Sequence, residues 1–352
     1  MGTGDTHVGA TRRVARSAAT SAPGEAPPRP YDGSATHEPI RIGVSACLLG
    51  REVRFDGGHK RDAFLVETFG TYVEWVPVCP EFELGLGVPR PTMRLERRGD
   101  DVRLVVPKTG DDHTVAMRAY AAQRTAQLAH DDLCGFILKK DSPSCGMERV
   151  KVYGAANTIP AKTGRGVFAD ALLQRCPHLP VEEEGRLNDP LLRENFVERV
   201  FAYRRLRSLF GGRWTIGQLV AFHTAHKLQL MAHAPKAYEE LGQLVARAKT
   251  VERAQVRERY EAAFMDGLKI VATRKRHTNV LQHMAGYFKK ALEPDGRQEL
   301  QSVIEDYRNG LVPLVVPLTL IRHYVRRFDV AYLRGQVYLE PHPKELMLRN
   351  HV

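Results

Sequence analysis

The feature that most constrains this chain is a change of hydrophobic period near residue 186. Before it, short β-branched runs alternate with helical patterns. After it, strand signals become rare. Ile40-Arg41-Ile42-Gly43-Val44-Ser45 alternates and is β-branched, so it reads as a strand; Tyr72–Val78 is a second and Gly135–Lys139 a third. Val115 to His130 places Ala and Leu at helical spacing with Thr114 as its cap. Met93 to Val106, with Gly99-Asp100 at its middle, reads as a β-hairpin. Alternating strands and helices predict an α/β fold, Rossmann-like, with a mainly parallel sheet. Asn188-Asp189-Pro190 is a helix start, and long helical stretches follow over 191–209, 215–232, 237–248, 251–273 and on to about residue 328. Gly211-Gly212, Ala234-Pro235, Pro294-Asp295-Gly296 and Pro313 punctuate them. The second part is therefore mainly α-helical.

A length of 352 residues exceeds what one core usually serves. The expected division is a disordered tail over 1–38, an α/β domain over 39–185 and a helical domain over 186–352. The tail is rich in Ala, Ser, Thr, Pro and Arg and has no apolar period. Its opening Met1-Gly2-Thr3-Gly4-Asp5-Thr6 satisfies a loose myristoylation pattern, and its Arg/Ser bias is like a transit peptide. Both patterns are permissive, and a disordered tail is the preferred reading.

Lys and Arg number 52 against 41 Asp and Glu, a net charge of +11, and about +8 of it lies in residues 211–352. Such an excess favours a polyanionic partner, and it makes the helical part the basic one. No apolar run approaches a membrane-spanning length, so no membrane role is expected. Five scattered cysteines, an odd count, exclude a secreted disulfide framework and suit a reducing cytoplasm.

Three of those cysteines each lie just after a predicted strand: Cys47, Cys79 and Cys145. In an open α/β sheet, ligands bind beyond the carboxyl ends of the strands, so three parallel strands would bring the thiols to one edge. Pro, Gly and Ser neighbours stiffen these turns and let backbone N–H groups approach sulfur. A closed zinc site wants four ligands. A cubane iron–sulfur cluster on three cysteines leaves one iron open, and iron takes a sulfur-bearing guest readily. The competing reading is three buried core cysteines. Cys134, at a strand start, and Cys176, after a helix, lack such neighbours and read as structural.

At these motifs the sequence resembles a known family. Ser45-Ala46-Cys47-Leu48-Leu49-Gly50, Val53-Arg54-Phe55-Asp56-Gly57, Pro77-Val78-Cys79-Pro80-Glu81, Gly85-Leu86-Gly87-Val88-Pro89-Arg90-Pro91 and Ser142-Pro143-Ser144-Cys145-Gly146 together resemble the TudS family of thiouracil desulfurases, over about residues 40–185. Glu182 to Leu187, His277 to His283 and Pro341 to Leu346 resemble the YbgA-like domain often fused to it. Fusions of this kind are similar to the RudS type. The resemblance implies a 4Fe-4S cluster on Cys47, Cys79 and Cys145 with one open iron, and removal of sulfur from 4-thiouridine in tRNA. Phe55 stands where the family commonly has Tyr, which removes a hydroxyl.

The expected reaction turns a C=S into a C=O with release of sulfide, the open iron drawing electron density through the thiocarbonyl sulfur. A carboxylate would take a proton from the attacking water. Glu81 is the first choice, against a role in capping the following helix, and Asp56 the second, against ordinary turn chemistry. Ser144 is placed with them in the catalytic set, and Ser45 and Ser142 are expected to bind substrate; turn stabilisation is the alternative for Ser142 and Ser144. Arg274, Lys275, Arg276, His277, Lys289 and Lys290, with Tyr287 and Phe288 between, are the expected nucleic-acid contacts, cations for phosphates and aromatics for bases. The competing reading is a solvated basic helix face. His223, His226 and His233 share a helical segment, where packing or RNA contact is expected rather than a second metal. Two other functions stay open: a desulfurase of free thiouracil or thionucleosides, and a cluster- or zinc-bearing RNA-binding protein without turnover.

Overall fold

The computed structural model describes residues 39–154 and 159–352; the expected tail lies outside them. In chain order the first part runs β1 (Ile40–Ser45), β2 (Val73–Val78), α1 (Pro80–Glu83), β3 (Arg94–Arg98), β4 (Asp101–Val105), α2 (Thr114–Leu128), β5 (Leu133–Leu138), β6 (Val150–Tyr153), β7 (Ala161–Gly164), α3 (Val167–Arg175) and β8 (Val181–Glu183). The strands form two sheets. One is wholly parallel, in the order β2-β1-β5-β8; the other is mixed, in the order β4-β3-β6-β7.

Strand β5 explains the layering. All six of its residues are buried, as a strand covered on both faces requires. On one face Phe136 packs on Phe168 of α3, ring centroids 5.8 Å apart. On the other, a Cβ at Gly135 would meet Val200 at 2.9 Å, so the glycine lets the next helix lie directly on the sheet. That helix is α4 (Pro190–Phe210). Asp189 caps it, accepting from the N–H groups of Leu191 and Leu192, with Pro190 in its first turn.

Seven helices follow: α5 (Ile216–His233), α6 (Pro235–Ala246), α7 (Arg253–Lys269), α8 (Arg274–Ala285), α9 (Pro294–Arg308), α10 (Val315–Arg327) and α11 (Ala331–Arg334). Helices α4, α5 and α7 continue the hydrophobic core of the parallel sheet through Tyr203, Phe210, Phe222, Tyr260 and Phe264. Helices α8, α9 and α10 gather around a second core that includes Val280, Met284, Phe288, Ile304 and Ile321. Among the described residues no helix is long and apolar enough to cross a membrane.

The architecture is the expected one, with local differences. Thr114 does not cap α2: His113 holds the cap position, and the Thr114 hydroxyl accepts from the Leu104 N–H at 2.8 Å, tying the helix to the hairpin. Strands β6, β7 and β8 are additions to the expected set. They have three or four residues each, and β7 is mostly exposed.

Candidate active site

The parallel register pairs Ser45 with Val78, so the chain leaves β1 and β2 side by side. Cys47 then sits in a 3-10 turn over Ala46–Leu49, and Cys79 at the N-cap of α1. Cys145 arrives in the loop after β5. That loop is closed by the Ser142 hydroxyl, which accepts from the N–H groups of Ser144 (3.2 Å) and Cys145 (3.0 Å). The Ser144 carbonyl accepts from Phe168 and Ala169 at the start of α3. A Cβ at Gly166 would lie 2.5 Å from that carbonyl, so this docking needs glycine there.

All three cysteines line one cavity of about 360 Å³. Burial pushes the Cys47 thiol up to about 11, with the Cys79 sulfur adding to it. Burial raises Cys79 as well, and raises Cys145 well above the ordinary thiol range, with Cys79 next in effect. Buried sulfurs in one another's field do not ionise together without a cationic partner. Three buried thiols converging on one cavity are the donor set that a thiophilic metal or an iron–sulfur cluster takes. The described residues lining the cavity include no fourth thiol and no imidazole.

Glu81 faces the same cavity from the first turn of α1. Its Oε2 accepts from Arg90 Nε at 3.0 Å and Nη2 at 2.5 Å, and its Oε1 accepts from the Ser144 hydroxyl at 2.9 Å. The capping role weighed for Glu81 belongs to Glu83, whose carboxylate accepts from the Cys79 N–H at 2.9 Å. Arg90 also donates to the Val53 carbonyl, which clamps the Cys47–Asp56 loop against α1.

The remaining expected site residues divide. Ser142 and Ser45 line the cavity, but each is already engaged: the Ser45 hydroxyl accepts from the Lys139 N–H at 2.9 Å. Ser144 is fully buried and outside the cavity lining, and its hydroxyl is spent on Glu81. Asp56 is also outside the lining. It is an exposed turn residue accepting from the Gly58 N–H at 3.1 Å. Sequence reasoning gave Arg90 no role, although it stands in a quoted motif. It also gave none to Arg54 or Lys60, which line the mouth with Lys139 and Lys140. Lys139 is ion-paired to Glu184.

Among the expected nucleic-acid contacts, Arg274, Lys275, Lys289 and Lys290 are exposed. His277 is a correction. It is 8% exposed, its Nδ1 lies 2.7 Å from the Tyr338 hydroxyl, and burial pushes its pKa down to about 3, so it offers no charge to a phosphate. Arg276 is half-buried and donates to the His233 carbonyl. Phe288 belongs to the second core, whereas Tyr287 is exposed and stacked on Tyr332 at 5.2 Å. His223 and His226 are core residues of α5: His226 stacks on Phe222 at 4.0 Å, and His223 Nδ1 is 3.2 Å from the Tyr260 hydroxyl. Both fill the packing role, not the RNA one.

Comparison with known proteins bears on both parts. Residues 42–184 match the family model described as 2-thiouracil desulfurase, and residues 227–343 match that of a protein of unknown function (DUF1722). The chain is 34% identical over 156 residues to the uncharacterized protein YbgA of Escherichia coli, covering 90% of that protein and 43% of this chain. It is 32% identical over 153 residues to the uncharacterized protein YbbK of Bacillus subtilis, covering 98% of that protein and 42% of this chain. Among solved structures, the 4Fe-4S-dependent thiouracil desulfidase TudS is 32% identical, with 93% of it and 42% of this chain covered and a TM-score of 0.35.

Proposed function

The chain belongs to the 2-thiouracil desulfurase family, joined to a YbgA-like helical part, and on that premise we propose that it is an iron–sulfur-dependent desulfidase converting 4-thiouridine in tRNA to uridine with release of sulfide. The observation that carries this reading is the cavity in which Cys47, Cys79 and Cys145 converge with Glu81 and no further thiol or imidazole among its described lining residues. These three residues would hold a 4Fe-4S cluster. When bound, such a cluster supplies a Lewis-acidic iron with an open position for a thiocarbonyl sulfur.

The rest is the work of the chain. Glu81, held on one side by Arg90 and on the other by Ser144, keeps its carboxylate in one orientation at the cavity wall. It takes the proton of the attacking water and returns one to the departing sulfide or a ring nitrogen. Lys60 and Lys140 set positive charge along the cavity lining, where Arg54 is paired with Asp56 at 3.3 Å, and this charge favours a substrate that brings phosphates over a free base. Arg274 and Lys275 begin α8, where cations add to the positive end of the helix dipole, and Lys289 and Lys290 follow its end. These four exposed residues are the proposed tRNA contacts.

The test is anaerobic reconstitution with iron and sulfide, then incubation with tRNA carrying 4-thiouridine and, in parallel, with free thiouracil. The expected result is sulfide release from the tRNA, abolished by Glu81→Gln with iron content unchanged. Release from thiouracil alone would restrict the enzyme to free bases. No sulfide from either substrate by a loaded protein would overturn the desulfidase reading.

A further inference from the structure

Outside the cysteine cavity, the polar groups that converge most closely lie between α4 and the C-terminal segment. Glu194 and Glu198, one turn apart on α4, point with His342 to one spot: a carboxylate oxygen of each and one ring nitrogen of the histidine all fall within 4.8 Å of one another. All three are buried; His342 is 8% exposed. Two atoms bound at about 2.1 Å to a common ion stand at most about 4.2 Å apart, so a shift of a few tenths of an ångström closes the trio on one cation.

His342 supplies the independent sign of a ligand. Its Nδ1 lies 3.1 Å from the Pro343 carbonyl, which only accepts, so Nδ1 carries the hydrogen. Nε2 is then a bare lone pair, buried with no hydrogen-bond partner and aimed at two carboxylates. A buried ring nitrogen with a bare lone pair is satisfied by a donor or by a cation, and no donor reaches this one. A backbone carbonyl that fixes the tautomer and turns the other nitrogen inward is also how metal-binding histidines are held. Pro341 and Pro343 stiffen the chain on either side.

Arg349 does not fill the position. Its guanidinium donates to Oε1 of Glu194 at 3.0 Å and to Oε1 of Glu198, but makes no bond to His342 Nε2. His351 Nε2 lies 2.8 Å from Glu194 Oε2 and His233 Nε2 2.9 Å from Glu198 Oε2, so each carboxylate oxygen has one partner and offers a metal its second lone pair. Glu194 and Glu198 also line a cavity of about 370 Å³ that gives access from one side.

We infer that Glu194, Glu198 and His342 bind a divalent first-row metal ion that pins the C-terminal segment to α4. Two carboxylates and one imidazole are hard-to-borderline donors, suited to Mn²⁺ or Zn²⁺ and unlike the thiol set of the first cavity. The site stands independently of the desulfidase reading.

Mn²⁺ is the discriminating probe, because thiolates compete for it poorly. Titration of the full-length protein with Mn²⁺, followed by electron paramagnetic resonance, is expected to show one saturable site per chain and a Tm that rises with Mn²⁺. His342→Ala is expected to weaken binding at least tenfold and remove the Tm response. His342→Phe, which refills the volume without a nitrogen, is expected to do the same and decides the matter where the alanine variant does not fold. Absence of saturable binding to the wild type, or wild-type affinity in a folded His342 variant, overturns the site.

Discussion

On the proposed reading, the chemistry of the cysteine cavity turns on how firmly one carboxylate is held. Glu81 has two anchors that approach different oxygens, Arg90 on Oε2 and Ser144 on Oε1. Ser144→Ala removes the second and leaves the backbone contacts of the loop in place, because the Cys145 N–H bonds to the Ser142 hydroxyl. The expected outcome is turnover lower by on the order of tenfold, stability lower by about 1 kcal/mol, and unchanged iron content. Sulfide-release kinetics, denaturant titration and iron analysis together check it. Equal turnover in the variant would mean that Arg90 alone sets the geometry. The three cysteines were legible because a chemistry-bearing residue type recurred at one kind of place, the turn after a strand. Ser144 and Glu81 are 63 positions apart, and their bond becomes visible only when β2 and β5 are neighbours of β1. Asp56 showed its turn role locally, in the Asp-Gly-Gly run. Arg90 reaches back from nine residues downstream to secure the carboxylate, and no local pattern announces that.

At the scale of elements, β5 was readable as an unbroken apolar run, because both its faces are covered, and the amphipathic helices because burial of one face imposes a period. Strands β6 and β7 were not, since a short hairpin at a sheet edge needs little apolar sequence. Helix α5 was read correctly as a helix, but its histidines are understood only from packing. His223 and His226 are buried against Phe222, Tyr260 and Phe264, and burial pushes their pKa values down to about 4 and about 3. His277 on α8 behaves likewise, at about 3. The unfolded chain takes up these protons near pH 6.5, while the folded chain resists. Their contribution to stability is therefore whole above pH 6.5 and falls as pH drops through 4 toward 3. Each ring removes up to about 1.4 kcal/mol per pH unit across that window. Denaturant midpoints measured from pH 7 to 4 are expected to decline steadily. His226→Phe, which cannot take up a proton and extends the stacked ring cluster, is expected to reduce the slope; an unchanged slope would remove His226 from the account.

On the proposed reading, the whole molecule joins a site that recognises one atom to a surface that holds a polyanion. The two are mechanically continuous, because α4 lies on β5 and carries the sheet's core into α5 and α7, with no break in packing at the change of period near residue 186. The charge is distributed differently: about +8 of +11 lies in residues 211–352, much of it past that shared core. A tRNA held by these cations would release counterions, so its binding constant should fall linearly with salt on logarithmic axes. Lys289 and Lys290 are exposed beside the stacked Tyr287–Tyr332 pair and have no ion pair among the described residues, so replacing them leaves the fold intact. In the double variant Lys289→Ala/Lys290→Ala, the salt slope is expected to be shallower by about 1.5, since each phosphate contact contributes about 0.7 to 0.9. Tm and activity on free thiouracil, where present, should not change. A slope equal to that of the wild type would place the tRNA on other cations, with Arg54, Lys60 and Lys140 at the cavity mouth the next to replace, since a base delivered to the cysteines must bring its own phosphate past them.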